Sequence, residues 1–442
     1  MLLNFSIKNW QSFRDEVEFS MIAGRETRHN DRLIRLKKHR TRVLPIAVLY
    51  GANASGKSNF LNAIAFFKSL VIGFIKEDDT YYKNAYNPFL LDPDTKNAPT
   101  ELKATFLIEK QVYKLSMTVT PDGITDELLY KIGVTDNEVL LYHRHKHGIK
   151  HLSPHYSRDA AFLAIIVDII SPKESLLSGI YQSNRCNKYI DEFKAIYNWF
   201  DSKLLVITTS SARFTSMAIT SLWHKPAPSY RSDAMLSILS QLDTGIAGIT
   251  DKSNPAVDYN GPDALGAEKY SGLPCQYYTS TGGRKQVKTL YTLHTTENGT
   301  LLELDARKES DGTKRILNLL PSLEALFSDD NVMIIDEFDK SLHPLIVRSL
   351  ISLYLDSCHE SMRSQLIIST HDAGLLDKTL LRRDELWFTE RKDNHGATDL
   401  FSLSDFTDLN KNTDLEQYYL QGRLGGVPEI LLYTTLTQTR LR

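Results

Sequence analysis

The sequence is poor in cysteine and has no long apolar segment, and each absence excludes a class of protein. Its three cysteines, Cys186, Cys275 and Cys358, lie far apart and form neither a CxxC pair nor a Cys/His zinc pattern, which argues against a disulfide or zinc framework. The longest apolar run, residues 160–170, is shorter than the ~18 residues of a membrane span and contains Asp168. The N-terminus has no basic segment followed by an apolar one, so it does not look like a secretory signal. We therefore expect a cytoplasmic protein that does not enter a membrane.

A strong net charge, sustained heptads and a Gly-x-Ser-x-Gly motif are also missing. The formal net charge is −2 over 442 residues, so charge alone does not indicate a nucleic-acid partner. The absence of heptads excludes a long coiled-coil arm, and the absence of the serine motif leaves a serine hydrolase unsupported. With 42% hydrophobic residues, the chain can fill a large core, and its length suits two to three domains.

A phosphate-binding loop is the clearest motif that the sequence does contain. Residues 51–58 read GANASGKS and satisfy the pattern G-x-x-x-x-G-K-[ST]. The apolar run 43–50 predicts a buried strand before the loop, and residues 57–71 predict an amphipathic helix after it. In such a loop, backbone N–H groups surround the phosphates, Lys57 reaches the β and γ phosphates, and Ser58 ligates Mg²⁺. ATP and Mg²⁺ are thus the expected ligands. The predicted nucleotide contacts of this segment are Gly51, Asn53, Ala54, Ser55, Gly56, Lys57, Ser58 and Asn59.

Two further apolar strands end in polar residues of the kind that ATP hydrolysis needs. The run VMII at 332–335 is followed by Asp336 and Glu337. We predict that Asp336 holds Mg²⁺ through water and that Glu337 is the base that polarises the attacking water. The run QLIIST at 365–370 is followed by His371, which we expect to sense the γ-phosphate. Ligands of open α/β sheets bind at the carboxyl ends of strands, so these motifs predict one composite site.

In this order, the motifs resemble the ATP-binding-cassette (ABC) class of P-loop ATPases, in its chromosome-maintenance and Rad50-like branch. The resemblance implies a D-loop at 338–344, which places Asp339 near the nucleotide, and a signature segment at 309–315. That segment reads ESDGTKR and keeps the serine and one glycine of the usual Leu-Ser-Gly-Gly-Gln/Glu form at Ser310 and Gly312. The resemblance further implies that a second subunit supplies these two residues, so that ATP binding joins two subunits and hydrolysis releases them.

A closer resemblance, which covers most of the chain, is to the bacterial AAA15-type ATPases related to the overcoming-lysogenization-defect proteins. It implies a dimeric or larger sensor ATPase in anti-phage defence, similar to subunits of the PARIS, Septu and retron-linked systems, that controls a separately encoded nuclease or toxin. Residues 391–442 are too few for the toprim nuclease domain of the lysogenization-defect proteins, so the effector is expected to be another chain. The segments that carry the resemblance are FSIKNWQSFRDEVEFSM (5–21), PFLLD (88–92), ELKATF (101–106), ITDELLY (124–130), LDTGI (242–246) and YLQGRLGGVPEI (419–430).

Some functional alternatives stay open on the sequence alone. The main one is a DNA-repair or DNA-end-processing ATPase of the Rad50-like type. A transporter motor is disfavoured by the hairpin-rich N-terminus and by the lack of a clear Q-loop glutamine, for which Gln111 and Gln182 are the candidates. The basic segment 25–42 holds eight Arg and Lys against two acids, and it either contacts nucleic acid or forms a solvated connection. The His-rich segment 143–155 is either a metal site or, by default, a polar hairpin.

The predicted fold is α/β, a P-loop NTPase of the ABC-ATPase head type, with a mixed sheet, an antiparallel β subdomain and a compact, mostly helical insert. Residues 1–130 are expected to carry the P-loop and the antiparallel strands, residues 131–240 the helical insert, and residues 241–442 the signature, the acidic strand and the switch histidine. Residues 250–285 are rich in Gly, Pro and Ser, which predicts a long loop.

Overall fold

The structure is a computed structural model, and it describes residues 1–73, 85–169, 174–183, 189–208, 238–239, 242, 244–259, 276–281, 284–328, 330–392, 396–407, 409–410 and 413–427. The principal strands and helices of these residues are β1 (Leu2–Lys8), β2 (Val17–Ser20), β3 (Ile34–Leu36), β4 (Thr41–Val43), β5 (Ile46–Tyr50), α1 (Lys57–Val71), α2 (Pro93–Lys96), β6 (Thr100–Ile108), β7 (Gln111–Thr120), β8 (Gly123–Ile132), β9 (Glu138–His145), β10 (Gly148–Leu152), α3 (Pro154–Ser157), α4 (Ala160–Ile169), α5 (Leu176–Gln182), α6 (Ile190–Asn198), β11 (Leu204–Ile207), β12 (Ile246–Tyr259), β13 (Gln276–Thr281), β14 (Arg284–Thr295), β15 (Leu301–Asp305), α7 (Asp311–Ser328), β16 (Val332–Ile335), α8 (Pro344–Ser357), β17 (Gln365–Ser369), β18 (Leu386–Lys392), β19 (Ala397–Ser402) and α9 (Leu415–Leu420).

The central sheet has the strand order β11-β16-β17-β5-β18-β19. Its first five strands are parallel, and β19 is antiparallel to β18. Strands β5, β16 and β17 are buried along their whole length, which explains their continuous apolar sequences, since both faces of the sheet are covered. The predicted P-loop follows β5, and β17 lies between β5 and β16. The carboxyl ends of these three strands therefore lie side by side at one edge of the sheet.

Helix α1 begins and ends where the sequence predicts, at Lys57 and Val71. Phe60 and Phe67 of this helix contact Phe5 of β1 edge-on, with ring centroids 5.9 and 5.8 Å apart. One cluster of buried side chains joins α1, the antiparallel sheet and one face of the central sheet. Truncating such a core aromatic to alanine costs about 3–5 kcal/mol of stability. This packing anchors the helix whose first residue is Lys57.

The antiparallel sheet has the order β10-β9-β8-β7-β6-β1-β2. Strands β1 and β2 form an antiparallel hairpin, and β6, β7 and β8 form an antiparallel meander, as expected for the antiparallel strands of residues 1–130. The expected change to a helical insert at residue 131 needs correction, because β9 and β10 continue the sheet to Leu152. Arg144 of β9 is fully buried, 3.4 Å from Glu127 of β8. A strand with buried charged residues lacks the apolar pattern by which strands are predicted. The predicted helices follow as α3 to α6.

Two strand regions differ from the sequence-based expectations. Strand β11 was not predicted, because its four apolar residues directly follow a π-helix, Trp199–Lys203, and cannot be told from a buried helix end. The loop expected at 250–285 is wrong at both ends, where β12, β13 and β14 form; residues 260–275 lie outside the described residues. The pairing of β12 with β14 is interrupted between Asn254 and Tyr259. Pro255 falls within that interruption, where a proline is tolerated in a strand.

The fold class agrees with the prediction: a mixed α/β P-loop fold that carries a separate antiparallel sheet. Strands β14 and β15 form an antiparallel hairpin. Across the part of the chain that the structure describes, no helix combines the length and the apolar composition needed to cross a bilayer.

Candidate nucleotide-binding site

The loop 51–58 has positive φ angles at three small residues. Gly51 and Gly56 have φ angles of 154° and 117°, and Ala54 lies in the left-handed region with φ of 61°. A Cβ atom added to Gly51 would lie 2.4 Å from Ser55 Oγ. One added to Gly56 would lie 2.7 Å from Thr398 Cγ2. The two glycines of the motif are therefore required by the lack of space as well as by backbone conformation.

Lys57 directs its amine back into this loop. Its Nζ donates to the carbonyl oxygens of Gly51, at 2.7 Å, and of Ala52, at 3.1 Å, and the residue is only 6% exposed. Burial lowers the pKa of Lys57 to about 8, although the nearby Asp336, Asp339 and Glu337 act in the opposite direction. The amine therefore lies between the loop and three carboxylates, in the place where a phosphate-binding lysine is needed.

Neighbouring strands and the N-terminal loop hold the P-loop in shape. The Ser55 and Thr389 hydroxyls are 2.6 Å apart, and Thr398 Oγ1 donates to the Ser55 carbonyl at 2.8 Å. Asn59 Nδ2 donates to Ser12 Oγ at 2.8 Å. Of the predicted contacts, Ser55 and Asn59 thus use their side chains to support the loop, and the Ser55 backbone N–H also donates within the loop, to the Ala52 carbonyl at 3.1 Å.

The tip of the loop is open to solvent. Asn53 and Ala54 are exposed, and Ser58 is half-buried at the start of α1. These positions agree with contact to a ligand that approaches from outside the loop.

The acidic strand end is tied to the neighbouring strand β17 through Ser369. Ser369 Oγ donates to Asp336 Oδ1 at 2.5 Å and accepts from the Glu337 backbone N–H at 2.8 Å. Asp336 is 1% exposed. Glu337 has a left-handed backbone, with φ of 48°, and its side chain accepts from Lys340 Nζ at 2.8 Å. Strained non-glycine backbone of this kind clusters at functional sites.

Sequence reasoning did not single out Ser369 or Arg315, although both contact the acidic segment. Arg315 of α7 donates through Nη2 to the Glu337 carbonyl at 2.8 Å, and to the Asp336 carbonyl at 3.4 Å. Burial lowers the pKa of Arg315. The only signals in the sequence were a hydroxyl at a strand end and an arginine at the end of the signature segment, and neither reveals its partner.

His371 and Asp339 meet beside the acidic strand end. The His371 backbone N–H donates to Asp339 Oδ2 at 3.1 Å. The other oxygen, Asp339 Oδ1, is buried and accepts no hydrogen bond within the described residues. Partial desolvation lowers the pKa of His371, and the charge of Lys57 adds to this effect. A neutral imidazole and a carboxylate with a free acceptor thus lie next to Lys57.

The signature segment forms the N-terminal turn of α7. Ser310 Oγ accepts from the Thr313 backbone N–H at 3.1 Å, which caps the helix. A Cβ added to Gly312 would lie 2.9 Å from the Ser341 carbonyl oxygen, so the D-loop packs directly on this glycine. Asp311 forms an ion pair with Lys314 at 2.6 Å, which offsets the acid at this position. Among the described residues, no hydrogen bond joins Ser310 or Gly312 to the P-loop of the same chain.

Other sequence candidates lie outside this site. Gln111 Nε2 donates to backbone carbonyls of the antiparallel sheet, and Gln182 Nε2 donates to Ser178 Oγ at 3.0 Å. These hydrogen bonds of the two Q-loop candidates lie outside the nucleotide site. The His-rich segment forms the polar β9–β10 hairpin, in which His143 Nε2 lies 2.8 Å from Asp126 Oδ1. Within the described ranges, no group of three or more His, Cys, Asp or Glu is arranged to hold a metal ion.

The basic segment 25–42 is partly structural. Arg32 is 7% exposed and forms an ion pair with Glu385 at 3.2 Å. Arg28 pairs with Glu26 at 2.8 Å, close in sequence. Its exposed basic residues are Arg25, Arg35, Lys37, Lys38 and Arg40, of which Arg35 pairs with Glu360 at 3.5 Å.

Comparison with known proteins gives one family match and several distant structural similarities. Residues 46–377 match the protein family described as "AAA domain, putative AbiEii toxin, Type IV TA system". No curated protein sequence is significantly similar to the chain. Among solved structures, the Smc head bound to the C-winged-helix domain of ScpA shares 14% identity and a TM-score of 0.40, over 91% of this chain and 97% of that chain.

Two further head structures give similar values. The SMC head domain from Thermotoga maritima has 10% identity and a TM-score of 0.39, over 91% and 98% of the two chains. An Smc head with an extended coiled coil, bound to the C-terminal domain of ScpA and derived from Pyrococcus furiosus, has 13% identity and a TM-score of 0.39, over 91% and 96%. At these values, the similarity carries no argument about ligands or partners.

Proposed function

The chain belongs to the family described as "AAA domain, putative AbiEii toxin, Type IV TA system", and from this premise we propose that it binds ATP with Mg²⁺ at the loop 51–58 and hydrolyses it. The observation that carries the proposal is the arrangement at the sheet edge. Lys57 lies between the loop carbonyls and the acids at the end of β16, and the residues after β17 lie beside both. A lysine in a glycine-rich loop next to carboxylates at a strand end is the arrangement that phosphoryl transfer from ATP requires.

Each residue has a chemical task in this proposal. Lys57 and the loop N–H groups bind the phosphates, and Ser58 with Asp336 holds Mg²⁺, whose preferred ligands are such oxygen atoms. Bound Mg²⁺ neutralises the charge that develops on the phosphates. Ser369 fixes both Asp336 and the Glu337 backbone, so Glu337 is held where it can orient the attacking water.

His371 and Asp339 complete the γ-phosphate end of the proposed site. The lowered pKa of His371 keeps its imidazole neutral at physiological pH. The neutral ring can donate one hydrogen bond to a phosphate oxygen. Asp339 keeps one buried oxygen that accepts no hydrogen bond from the described residues, which suits contact with a group that enters the site.

A second subunit completes the site in this proposal. Ser310 and Gly312 are expected to contact ATP bound to the partner, because they form no hydrogen bond with the P-loop of their own chain within the described residues. A helix N-terminus attracts anions, and α7 presents Ser310 and Gly312 at its N-terminus. ATP would then join two copies, and hydrolysis would let them separate.

The test of catalysis is a pair of substitutions with a matched control. Glu337→Gln is expected to keep ATP binding while turnover falls by about 10²–10⁴, the usual contribution of a general base. Lys57→Ala is expected to lose ATP binding. Glu101→Gln is the control, since it removes a carboxylate from an exposed ion pair with Lys8, 3.3 Å away on the antiparallel sheet, and should change neither quantity. Normal turnover in Glu337→Gln would show that the base is a different residue.

The biological role that we propose is a sensor or switch in phage defence that controls a separately encoded nuclease or toxin. The description of the matched family, a putative toxin of a type IV toxin–antitoxin system, supports a link to systems of that kind, and control of a separate effector is the further step of this proposal. Purifying the chain together with the products of its neighbouring genes, with and without ATP, tests it. A nuclease or toxin whose association depends on ATP supports the role, and an operon without such a partner contradicts it.

DNA-end processing is the second candidate function. It is favoured by the exposed cations Lys37, Lys38 and Arg40 of the segment 25–42; Arg35 is also exposed but pairs with Glu360 at 3.5 Å. ATPase activity that DNA ends stimulate, and that falls steeply with salt, would support this function. Charge reversal at Lys37 and Lys38 should then remove the stimulation and leave basal turnover unchanged.

A further inference from the structure

The segment YLQGRLGG, residues 419–426, is a distinctive part of the sequence for which neither the catalytic motifs nor the fold provides a role. It consists of the end of α9 and the turn after it. The turn has a left-handed backbone at Gly422, Gly425 and Gly426, with φ angles of 76°, 69° and 66°. Three such glycines within five residues indicate a backbone that must follow one particular path.

The turn lies directly against the first residue of the P-loop. A Cβ atom added to Gly426 would lie 3.2 Å from Gly51 Cα and 3.2 Å from the Thr389 carbonyl oxygen. On its other side, Gly51 is enclosed by Ser55 Oγ and Thr389 Oγ1, each 2.4 Å from where its own Cβ would be. Gly51 is therefore confined between β18 and the C-terminal turn.

Two side chains hold the turn in this position. Glu390 of β18 accepts from the Gly426 backbone N–H at 3.1 Å, and its carboxylate lies 2.7 Å from the place of a Cβ on Gly425. Tyr419 donates from its hydroxyl to the Gly426 carbonyl at 3.3 Å. Its ring packs on Tyr50, the residue before the P-loop, with centroids 5.7 Å apart. Burial raises the pKa of Tyr419, and a hydrogen bond between its hydroxyl and the Gly51 backbone acts in the opposite direction.

Gly51 in turn determines where the phosphate-binding lysine rests. Lys57 Nζ donates to the Gly51 carbonyl at 2.7 Å, the shorter of its two hydrogen bonds to the loop. A shift of the Gly51 peptide would therefore move both the loop N–H groups and the lysine amine. Oriented groups of this kind lose much of their effect when displaced by about 1 Å.

We propose that the Gly425–Gly426 turn is a positioning element of the nucleotide site: it presses on Gly51 and holds the P-loop in the form that accepts phosphates. Gly426 is the central residue, and Tyr419 and Glu390 are its supports. The inference rests on the proposed ATP binding at 51–58, and it adds to that site a segment more than 360 positions further along the chain.

The test compares alanine substitutions at two glycines of the same turn. Gly426→Ala forces a Cβ against Gly51, whereas Gly422→Ala imposes the same left-handed strain at a position with no atom within 4 Å of the added Cβ. The dissociation constant of a fluorescent ATP analogue and KM for ATP are expected to rise about tenfold in Gly426→Ala. Both should stay within about twofold of wild type in Gly422→Ala. kcat should change less than KM, because the turn acts on binding of the phosphates.

Two further measurements separate positioning from a general loss of folding. The melting temperature without nucleotide is expected to be similar in the two alanine variants, while the increase that ATP produces is smaller in Gly426→Ala. Tyr419→Phe, which removes only the hydroxyl, should weaken ATP binding in the same direction by a smaller factor. Equal affinities in Gly426→Ala and Gly422→Ala would overturn the inference. Failure of the wild-type chain itself to bind ATP would instead overturn the proposed function.

Discussion

Lys57 provides a quantitative prediction, since its lowered pKa should make ATP binding depend on pH above neutrality. Burial lowers the pKa of its amine from 10.5 to about 8. The amine is therefore about 90% protonated at pH 7 and about 10% protonated at pH 9. Bound phosphates favour the charged amine and raise its pKa again. ATP binding should consequently take up a proton at high pH, and affinity should fall as pH rises through 8.

The size of the effect follows from the same value. If only the charged amine binds phosphate well, the dissociation constant rises about tenfold between pH 7 and pH 9, and about thirtyfold by pH 9.5. Titration with a fluorescent ATP analogue measures this directly. Calorimetry in two buffers with different ionisation enthalpies should record an uptake of about 0.9 proton per ATP at pH 9 and about 0.1 at pH 7.

Lys68 offers a matched control on the same helix. Burial also lowers its pKa to about 8, and its Nζ donates to the carbonyls of Asp201 and Leu204, at 3.0 and 2.7 Å, outside the nucleotide site. Lys68→Met should therefore keep the pH dependence of ATP binding. A dissociation constant that stays constant from pH 7 to 9.5 in the wild-type chain would refute the reasoning, because it would mean that Lys57 is either not desolvated or not in contact with phosphate.

Three other substitutions have expected outcomes. Ser369→Ala removes the hydroxyl that holds Asp336 and the Glu337 backbone, so thermal or urea unfolding should show a loss of about 1–3 kcal/mol, and turnover should fall. Lys340→Ala breaks an exposed ion pair with Glu337; it should change stability by less than about 1 kcal/mol and leave turnover unchanged or higher, as measured by phosphate release. Glu385 is fully buried, which raises its pKa to about 7, so the wild-type chain should lose up to about 1.4 kcal/mol of stability per pH unit, relative to Glu385→Gln, as pH rises from 5 to 7. Equal pH dependence of the two unfolding curves would contradict the last prediction.

The sequence predicts well those features that are determined locally. The bounds of α1 follow from the motif and the helical periodicity after it, and β16 and β17 follow from short apolar runs with polar ends. Because the strands are parallel, their order along the chain was enough to predict that Asp336 and His371 approach the P-loop. The strand order itself, with β17 between β5 and β16, needed the structure.

Features that depend on contacts between residues far apart in the sequence were not predicted. Thr389 and Thr398 support the P-loop from β18 and β19, more than 330 positions away, and no local pattern marks them. The burial of strand β9 was not predicted because it contains the charged Arg144, which is buried only because its partner Glu127 lies on the neighbouring strand. Gly426 could be recognised in the sequence as part of a distinctive segment, but its contact with Gly51 follows only from the tertiary structure.

The proposal of a site shared by two subunits is tested most directly by mixing two inactive variants. Lys57→Ala removes the phosphate-binding lysine and keeps the signature segment, whereas Ser310→Arg blocks the signature segment and keeps the P-loop. Random pairing of equal amounts gives mixed dimers in about half of the cases, each with one intact site of two, so ATPase activity should return to about a quarter of the wild-type value. If the mixture is as inactive as its components, or if Ser310→Arg alone retains full activity, the site is not completed by a second subunit.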